Sequence, residues 1–325
     1  MTTPPCPSGM VAPLALDLSP LASADFWLGV GVLAATYAIF ALGLQLNVGF
    51  TGIVNFGQAG FMAIGAYTMG ILVVDLDLSL WLALPVATLV AVTAGVLIGL
   101  PSLRLRADYF AIVTLAFAEI VRYVAQNARE LTGGNQGLLG FDGDWASFAG
   151  EVSDAFGDQI LLPLLVVAWL TFVVLALVLT RLQRSPWGRV LRAIREDEDA
   201  ARALGKNTLA YKLQSLAIAA ALGSIAGYLM GLNLSFLTPE SFEPLFTFIG
   251  YAVLVLGGLA SYWGVAVGAV ILWFILEATR FVDLPLPAEK VAALRFVIVG
   301  LALILLMAFR PQGMFGRRRE MVLGD

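Results

Sequence analysis

Long apolar segments with few charges dominate this 325-residue chain and restrict the folds it can adopt. A helix needs about 20 apolar residues to cross the hydrocarbon core of a bilayer, and backbone groups inside that core must be hydrogen-bonded within the protein. A mean hydropathy of +0.89 also indicates membrane surroundings. We therefore predict an all-α, polytopic membrane helix bundle of about nine spans (eight to ten). The predicted spans are residues 26–46, 50–74, 80–100, 107–125, 159–181, 213–234, 246–262, 264–282 and 291–309.

Two of the predicted spans have features that weaken a continuous helix. The second, 50–74, is rich in glycine, and the seventh, 246–262, is short. Irregular backbone is tolerated at membrane depth where protein or a water-filled cavity surrounds it. Both spans are therefore candidates for an interrupted or re-entrant helix.

The distribution of Lys and Arg predicts the orientation of the bundle. With nine spans and an external N-terminus, 14 of the 19 basic residues fall on the inner side. This bias is expected because positively charged loops stay in the cytoplasm. The chain is then divided into an extracytoplasmic tail (1–25), a transmembrane domain (26–309) with a cytoplasmic loop (182–212), and a cytoplasmic tail (310–325).

The charge balance and the residue types argue against several functions. A net charge of −4 and a pI near 5.0, without a clustered basic face, argue against nucleic-acid binding. The chain has no histidine and one cysteine, Cys6, which removes disulfide frameworks, Cys/His metal sites and His general bases. No GxxxxGK[ST] motif occurs, so a phosphate loop for ATP is not expected. We therefore predict no catalytic residue, no metal site and no cofactor on this chain.

The stretch "RAIREDEDAARALGKN" (192–207) is unusually charged for this chain and lies in the predicted cytoplasmic loop. The residues from Pro186 to Gly205 favour a helix, with a narrow apolar stripe that Asp197 interrupts. The charge pattern alone leaves two interpretations open. The helix is either a solvated bridge between two spans or a docking element for another protein. The stripe consists of Val190, Ile194, Ala201 and Leu204.

Four polar residues lie at or near the start of the second span: Asn47, Thr51, Asn55 and Gln58. Lipid cannot satisfy these groups, so they must face protein, water or a solute. Hydrogen bonds that hold the bundle together and a lining for a solute path are both open. The stripe of small residues that follows favours close approach of another helix. It consists of Ala59, Ala63, Ala66 and Gly70.

Glu119 is the one acidic residue well inside a predicted span, and Arg122 follows one turn later. A carboxylate in the membrane is a functional candidate by default, but the spacing equally suits an ion pair. Glu277 and Arg280 repeat the pattern, which favours the structural interpretation of both pairs. Asn233, at the outer end of the sixth span, is a weaker candidate for lining a solute path.

Part of the charged loop matches a known signature. "DAARALG" (199–205) resembles the EAA-x3-G signature by which membrane subunits of bacterial ABC importers dock their ATPases. Asp replaces the usual Glu. The resemblance implies coupling to an ATPase through Glu198, Asp199, Ala200, Ala201 and Gly205, with the two alanines entering the ATPase cleft and Gly205 turning the chain out of the helix.

A wider likeness extends from about residue 40 to 316. The chain resembles the branched-chain amino acid ABC transporter permease family, in particular its LivM-type subunit. "GIVNFGQAG", by contrast, shares its Val-Asn-Phe core with the sister LivH-type subunit. The segments that carry the resemblance are "GFTGIVNFGQAGFMAIGAYTMGIL" (49–72), "LRADYFAIVTLAFAEIVR" (105–122), "TGGNQGL" (132–138), "RSPWGRVLRAIREDEDAARALG" (184–205) and "RPQGMFG" (310–316).

The resemblance implies a multi-pass permease of the bacterial inner membrane that forms half of a translocation path for branched-chain, hydrophobic amino acids. Its implied partners are a LivH-type permease, two ATPase subunits that bind the ATP, and an extracytoplasmic solute-binding protein. Near relatives import urea or short-chain amides, so that solute class stays an alternative. Further alternatives are a proton-coupled secondary transporter with Glu119 as carrier and a membrane enzyme or scaffold.

Overall fold

The computed structural model describes residues 23–156 and 161–278, together with Val297, Gly300, Leu301, Ile304 and Met314. The first 22 residues, most of the predicted ninth span and most of the C-terminal tail lie outside the described residues. Within the described ranges the chain is helical and has no β-strand, which confirms the predicted all-α membrane bundle.

The helices follow one another with short connections. The first helix continues into a π-helix, and 3-10 turns precede α6 and α11. In chain order the elements are α1 (Ala24–Leu44), the π-helix (Gln45–Thr51), α2 (Gln58–Val74), α3 (Leu80–Ser102), α4 (Ala107–Asn127), α5 (Arg129–Thr132), α6 (Gly143–Phe156), α7 (Leu162–Arg184), α8 (Pro186–Glu196), α9 (Glu198–Ala203), α10 (Thr208–Leu234), α11 (Leu245–Gly257) and α12 (Tyr262–Ala278), with 3-10 turns at Gly134–Gln136 and Pro239–Phe242.

Local sequence explains several helix ends. Ser23 caps the N-terminus of α1, where its hydroxyl accepts from the Phe26 amide, and Asn207 caps α10 by accepting from Ala210 at 3.1 Å. Ser185 separates α7 from α8 in an extended conformation because Pro186 disfavours a helical residue before it. The residue types at these positions therefore account for where the helices begin and end.

Four helices among the described residues are long and apolar enough to cross a membrane: Ala24–Thr51, α3, α7 and α10. The pair α11 and α12 adds a fifth if it is one broken span. Shorter or more polar helices, α2 and α4, occupy the positions of the predicted second and fourth spans. The count of about nine spans therefore stays a prediction.

Both predicted interruptions are confirmed. Residues 52–57 are not helical, so the second predicted span becomes a helix only at Gln58. The axis bends by 114° between α11 and α12, and Gly258 and Ala260 in the connection have φ of +101° and +63°. A Cβ on Gly264 would lie 2.4 Å from the Gly257 carbonyl oxygen, so these two glycines allow close packing of α11 on α12.

The helices differ in how far protein covers them. α10 packs against α1, α2 and α3, and α1 also contacts α7, α11 and α12. In the most apolar 18-residue segments of Ala24–Thr51 and of α10, 78% of the residues are buried, whereas 28% are buried in the corresponding segment of α3 and 33% in that of α7. The uncovered faces of α3 and α7 carry exposed leucines such as Leu97 and Leu170. These faces are the ones that lipid would cover.

Candidate functional site: the loop helices and the buried polar cluster

The charged loop forms two helices, so the prediction of a single helix from Pro186 to Gly205 is wrong. Asp197 is extended, with φ of −153° and ψ of 106°, and it separates α8 from α9. Its carboxylate accepts from the Ala200 amide at 2.9 Å and so caps the second helix. An aspartate that satisfies a helix N-terminus in this way competes with continuation of the preceding helix.

The break also divides the predicted apolar stripe. Ile194 and Ala201 are buried against the rest of this chain, whereas Leu204 is 80% exposed and Val190 is half-buried. Ala200 is exposed. The surface that α9 offers to another protein therefore contains Ala200 and Leu204, and Ala201 is covered by its own chain rather than free to enter a partner.

Glu198 ties α9 to α10. Its carboxylate accepts a hydrogen bond from Arg202 at 3.1 Å and another from Lys212 of α10. Partial burial would raise the pKa of Glu198, but the hydrogen bond and charge of Lys212, with smaller contributions from Thr208 and Arg202, lower this pKa below its usual range. The carboxylate is therefore ionised at neutral pH, and the α9–α10 contact is an ion pair.

The other predicted coupling residues lie at the exposed end of α9. Asp199 accepts from Arg202 at 3.2 Å and is largely exposed. Gly205 has a φ of +77°, a left-handed conformation that glycine adopts without strain. The prediction that Gly205 turns the chain out of the loop helix is confirmed.

The C-terminal part of α8 contacts the π-helix at the end of α1. The Arg195 guanidinium donates to the Gly49 carbonyl, and a Cβ on Gly52 would lie 3.1 Å from Arg195 Cγ. The Thr51 hydroxyl donates a hydrogen bond to the Leu46 carbonyl, five residues earlier, at 3.0 Å. Short π-helical segments within α-helices occur frequently at functional sites. The charged loop thus touches the one irregular stretch of α1.

The π-helix is joined to α10 by buried polar groups. Thr51 and Ser215 lie 2.7 Å apart, and the Ser215 hydroxyl donates to Asn47 Oδ1 at 3.0 Å. All three residues are at most 1% exposed. The Asn47 Nδ2 group has no hydrogen-bond partner in the described part of the chain.

Asn55 and Gln58 stabilise the non-helical segment 52–57 from within. Asn55 Oδ1 accepts from the Gly57 amide at 2.8 Å, and Asn55 Nδ2 donates to Gln58 at 3.3 Å. Gln58 Nε2 donates to the Ala219 carbonyl of α10 at 2.9 Å. Both side chains are completely buried.

The sequence analysis missed Ser215 and three further residues that complete this network. Thr114 accepts from the Phe56 amide at 3.0 Å, Thr247 accepts from the Ala59 amide at 3.1 Å, and Tyr251 donates to the Asn55 carbonyl at 2.9 Å. They come from α4 and α11, so only the fold brings them to the break. We call the whole set the polar cluster: Asn47, Thr51, Asn55, Gln58, Thr114, Ser215, Thr247 and Tyr251.

In this conformation the polar cluster holds helices together. Its hydrogen bonds connect the π-helix, the break and α2 with α4, α10 and α11, as irregular backbone at membrane depth requires. The four predicted solute-path residues of this region are at most 1% exposed. Their placement fits the interpretation in which they hold the bundle, and a role in a solute path stays a prediction.

Glu119 and Asn233 lie away from the polar cluster. Glu119 accepts from Arg122 at 2.5 and 3.1 Å, which confirms the predicted pair; the Glu277–Arg280 pair lies partly outside the described residues. Asn233 lines a cavity of about 550 Å³ between α6, α7 and α10, together with Trp145. The two residues therefore belong to separate sites.

A helical membrane bundle with interrupted helices and a buried polar cluster at the break has the architecture of a membrane transport protein. Residues 27–307 match the model of the family described as "Branched-chain amino acid transport system / permease component". The chain belongs to this family.

Its relatives include two types of permease. The chain is 37% identical over 311 residues to the high-affinity branched-chain amino acid transport system permease protein LivM of Escherichia coli (strain K12), covering 89% of this chain and 70% of the relative. It is 28% identical to a probable LivM of Methanocaldococcus jannaschii, over 86% and 90% of the two chains. Identity to the LivH permease of Escherichia coli (strain K12) is 27%, over 88% and 92%. The LivM-type resemblance is therefore confirmed. No solved structure matches the chain significantly.

Proposed function

We propose that this chain is one membrane subunit of a bacterial ABC importer for branched-chain amino acids and forms half of the translocation path. A LivH-type permease completes the path, two separate ATPase subunits bind ATP, and an extracytoplasmic protein delivers the solute. The family match and the relatives' names support the solute class. The family match supports a bacterial inner-membrane location. The distribution of basic residues supports an orientation with the N-terminus outside and the C-terminus in the cytoplasm.

The observation that carries the proposal is the contact between α8 and the π-helix. α9 presents Ala200 and Leu204 at the surface, where an ATPase would bind, and α8 reaches the Gly49 carbonyl through Arg195. The π-helix in turn carries Asn47 and Thr51 of the polar cluster. A displacement of the loop helices would therefore be transmitted to buried helix contacts through few intervening residues.

We propose that nucleotide-driven movement of α8 and α9 switches the polar cluster between two packings. The closed packing is the one described, in which the cluster's asparagine, glutamine, serine and threonine side chains are buried. In the other packing, rearrangement of the π-helix would expose some of these side chains to the solute. Packed interfaces of this kind change between discrete arrangements rather than deforming gradually.

Ala200→Trp is expected to weaken ATPase binding by tenfold or more, because an indole on the exposed face of α9 obstructs a fitted protein interface of the kind whose central contacts contribute about 2 kcal/mol or more. The measurement is copurification of the ATPase subunits with the permease, followed by leucine uptake in proteoliposomes that contain the whole transporter. Ser147→Trp, on exposed α6 at the other end of the bundle, is the matched control and should leave ATPase copurification unchanged.

The same uptake assay tests the solute. Unlabelled valine or isoleucine should compete with leucine, and urea or acetamide should not. Retention of full ATPase binding by Ala200→Trp would contradict docking at α9. Competition by urea or acetamide alone would replace the amino acid with the related solute class.

Glu119→Gln is expected to have a small effect, because the pair with Arg122 is partly exposed and such pairs contribute about 1 kcal/mol or less. Thermal unfolding in detergent should shift slightly, and ATP-dependent uptake should persist in the presence of a proton uncoupler. Arg122→Gln, the partner variant, should behave alike. Loss of uptake in Glu119→Gln alone, with normal stability, would instead identify Glu119 as a proton carrier.

A further inference from the structure

A basic cavity of about 460 Å³ lies at the loop end of the bundle, between the α3–α4 turn and the start of α10. Its wall contains four cations and one carboxylate. We call it the basic cavity and define it by Leu103, Arg104, Leu105, Glu198, Arg202, Lys206, Asn207, Thr208, Leu209 and Lys212.

The single carboxylate of the basic cavity is already neutralised. Glu198 accepts from both Arg202 and Lys212. Arg104 and Lys206 are exposed and have no acidic partner within 4 Å among the residues that the structure describes. Within the described part of the chain the cavity therefore keeps an excess of positive charge, which a bound anion would balance.

The N-terminus of α10 adds to this charge. Thr208 and Leu209 are the first two residues of this 27-residue helix and line the basic cavity. The Thr208 amide donates to the Lys206 carbonyl at 3.0 Å and the Ala210 amide to Asn207 at 3.1 Å, which leaves the Leu209 amide of the first turn for a ligand. Together with the helix dipole, these groups favour a phosphate over a neutral ligand.

The surroundings of the basic cavity place it at the surface of a bilayer. α3 ends at Ser102 and α4 begins at Ala107, so Arg104 lies in a tight turn between two predicted spans. The adjoining apolar surface is uncovered: Leu97 is 66% exposed on α3, and Ile112 is 62% exposed on α4. An anion with acyl chains could fill the cavity with its headgroup and cover this surface with its chains.

We propose that the basic cavity binds the phosphate headgroup of an anionic phospholipid from the leaflet on the side of the charged loop. The headgroup contacts Arg104 and Lys206, and the acyl chains lie against α3 and α4. Basic pockets between membrane helices recognise anionic lipids by this combination of charge and apolar contact. The proposal requires no ATPase and is independent of the proposed transport function.

The test is native mass spectrometry of the delipidated, purified full chain with phosphatidylglycerol or phosphatidylcholine of the same acyl chains. Phosphatidylglycerol should bind more tightly to the wild type. Arg104→Gln combined with Lys206→Gln should lower phosphatidylglycerol affinity by about 25-fold, because each basic residue at the membrane surface contributes about fivefold. Binding of phosphatidylcholine should not change.

A matched control removes the same charge elsewhere on the same side. Arg181 and Arg184 are exposed at the end of α7 and do not line the basic cavity. Arg181→Gln combined with Arg184→Gln should retain the preference for phosphatidylglycerol. Equal thermal unfolding temperatures of both double variants without added lipid should confirm that neither change perturbs the fold.

Three outcomes would overturn the proposal. The first is equal affinity of the wild type for the two lipids. The second is an equal loss of phosphatidylglycerol affinity in both double variants, which would indicate general surface charge. The third is displacement of the lipid by inorganic phosphate or glycerophosphoglycerol as effectively as by phosphatidylglycerol, which would assign the site to a soluble phosphate.

Discussion

Gly227→Leu is expected to prevent production of folded protein, because α2 and α10 cross at this residue without room for a side chain. A Cβ on Gly227 would lie 1.9 Å from the Met62 carbonyl oxygen and 3.1 Å from the Ala66 amide nitrogen. Both atoms are backbone and cannot rotate away. Overpacking of a core costs about 1–3 kcal/mol where side chains can adjust, and more is expected where a whole helix must move.

The measurement is the yield of monodisperse protein and its thermal unfolding in detergent. Gly227→Ala should unfold at a clearly lower temperature than the wild type, with Gly227→Leu more severely affected. Gly29→Ala is the matched control, because no atom lies within 4 Å of its added Cβ. An unfolding temperature of Gly227→Ala equal to that of the wild type would contradict the close crossing of α2 and α10.

Arg195→Met is expected to reduce ATP-dependent uptake by about tenfold while the ATPase subunits still bind. On the proposed function, Arg195 transmits movement of α8 by holding the Gly49 carbonyl of the π-helix. A hydrogen bond with a charged donor contributes about 1.5–3 kcal/mol. This contribution lies within the coupling free energy of about 1–3 kcal/mol that typically links two sites. Uptake and ATP hydrolysis are measured on the same reconstituted transporter.

The controls separate transmission from a general loss of structure. Arg189→Met removes an equal charge from the exposed side of α8 and should leave uptake unchanged. Arg195→Lys should restore part of the uptake, since an ammonium group can still donate to the carbonyl. A parallel loss of ATPase copurification in Arg195→Met would show that this residue serves docking rather than transmission.

The charged loop shows which structural features the local sequence predicts and which it does not. Local sequence identified the loop, its helical character and the left-handed turn at Gly205, because these depend on neighbouring residues. It did not identify Asp197 as a helix cap. The apolar stripe that was drawn through Ile194, Ala201 and Leu204 assumed one continuous helix, and the break directs Ala201 into the protein and Leu204 outward.

For the polar residues of the second predicted span, the sequence predicts the need for hydrogen-bond partners but not which residues they are. Their type and position established that Asn47, Thr51, Asn55 and Gln58 need partners, since lipid provides none. Which partners they find depends on residues up to 196 positions away in sequence, as in the bond from Tyr251 to Asn55. Thr114 and Thr247 have no local pattern that marks them, because a lone threonine in an apolar helix can bond its own backbone.

The sequence by itself determined the membrane helix bundle and its family and marked two spans as candidates for interruption, because apolar length, glycine content and extended motifs are properties of continuous segments. The tertiary structure alone decided which face of each helix is covered, where the loop helices touch the π-helix, and how the break at residues 52–57 is satisfied. The physical reason is that hydrogen bonds and close contacts between distant segments require a specific arrangement of helices. Hydropathy and local spacing carry no information about that arrangement.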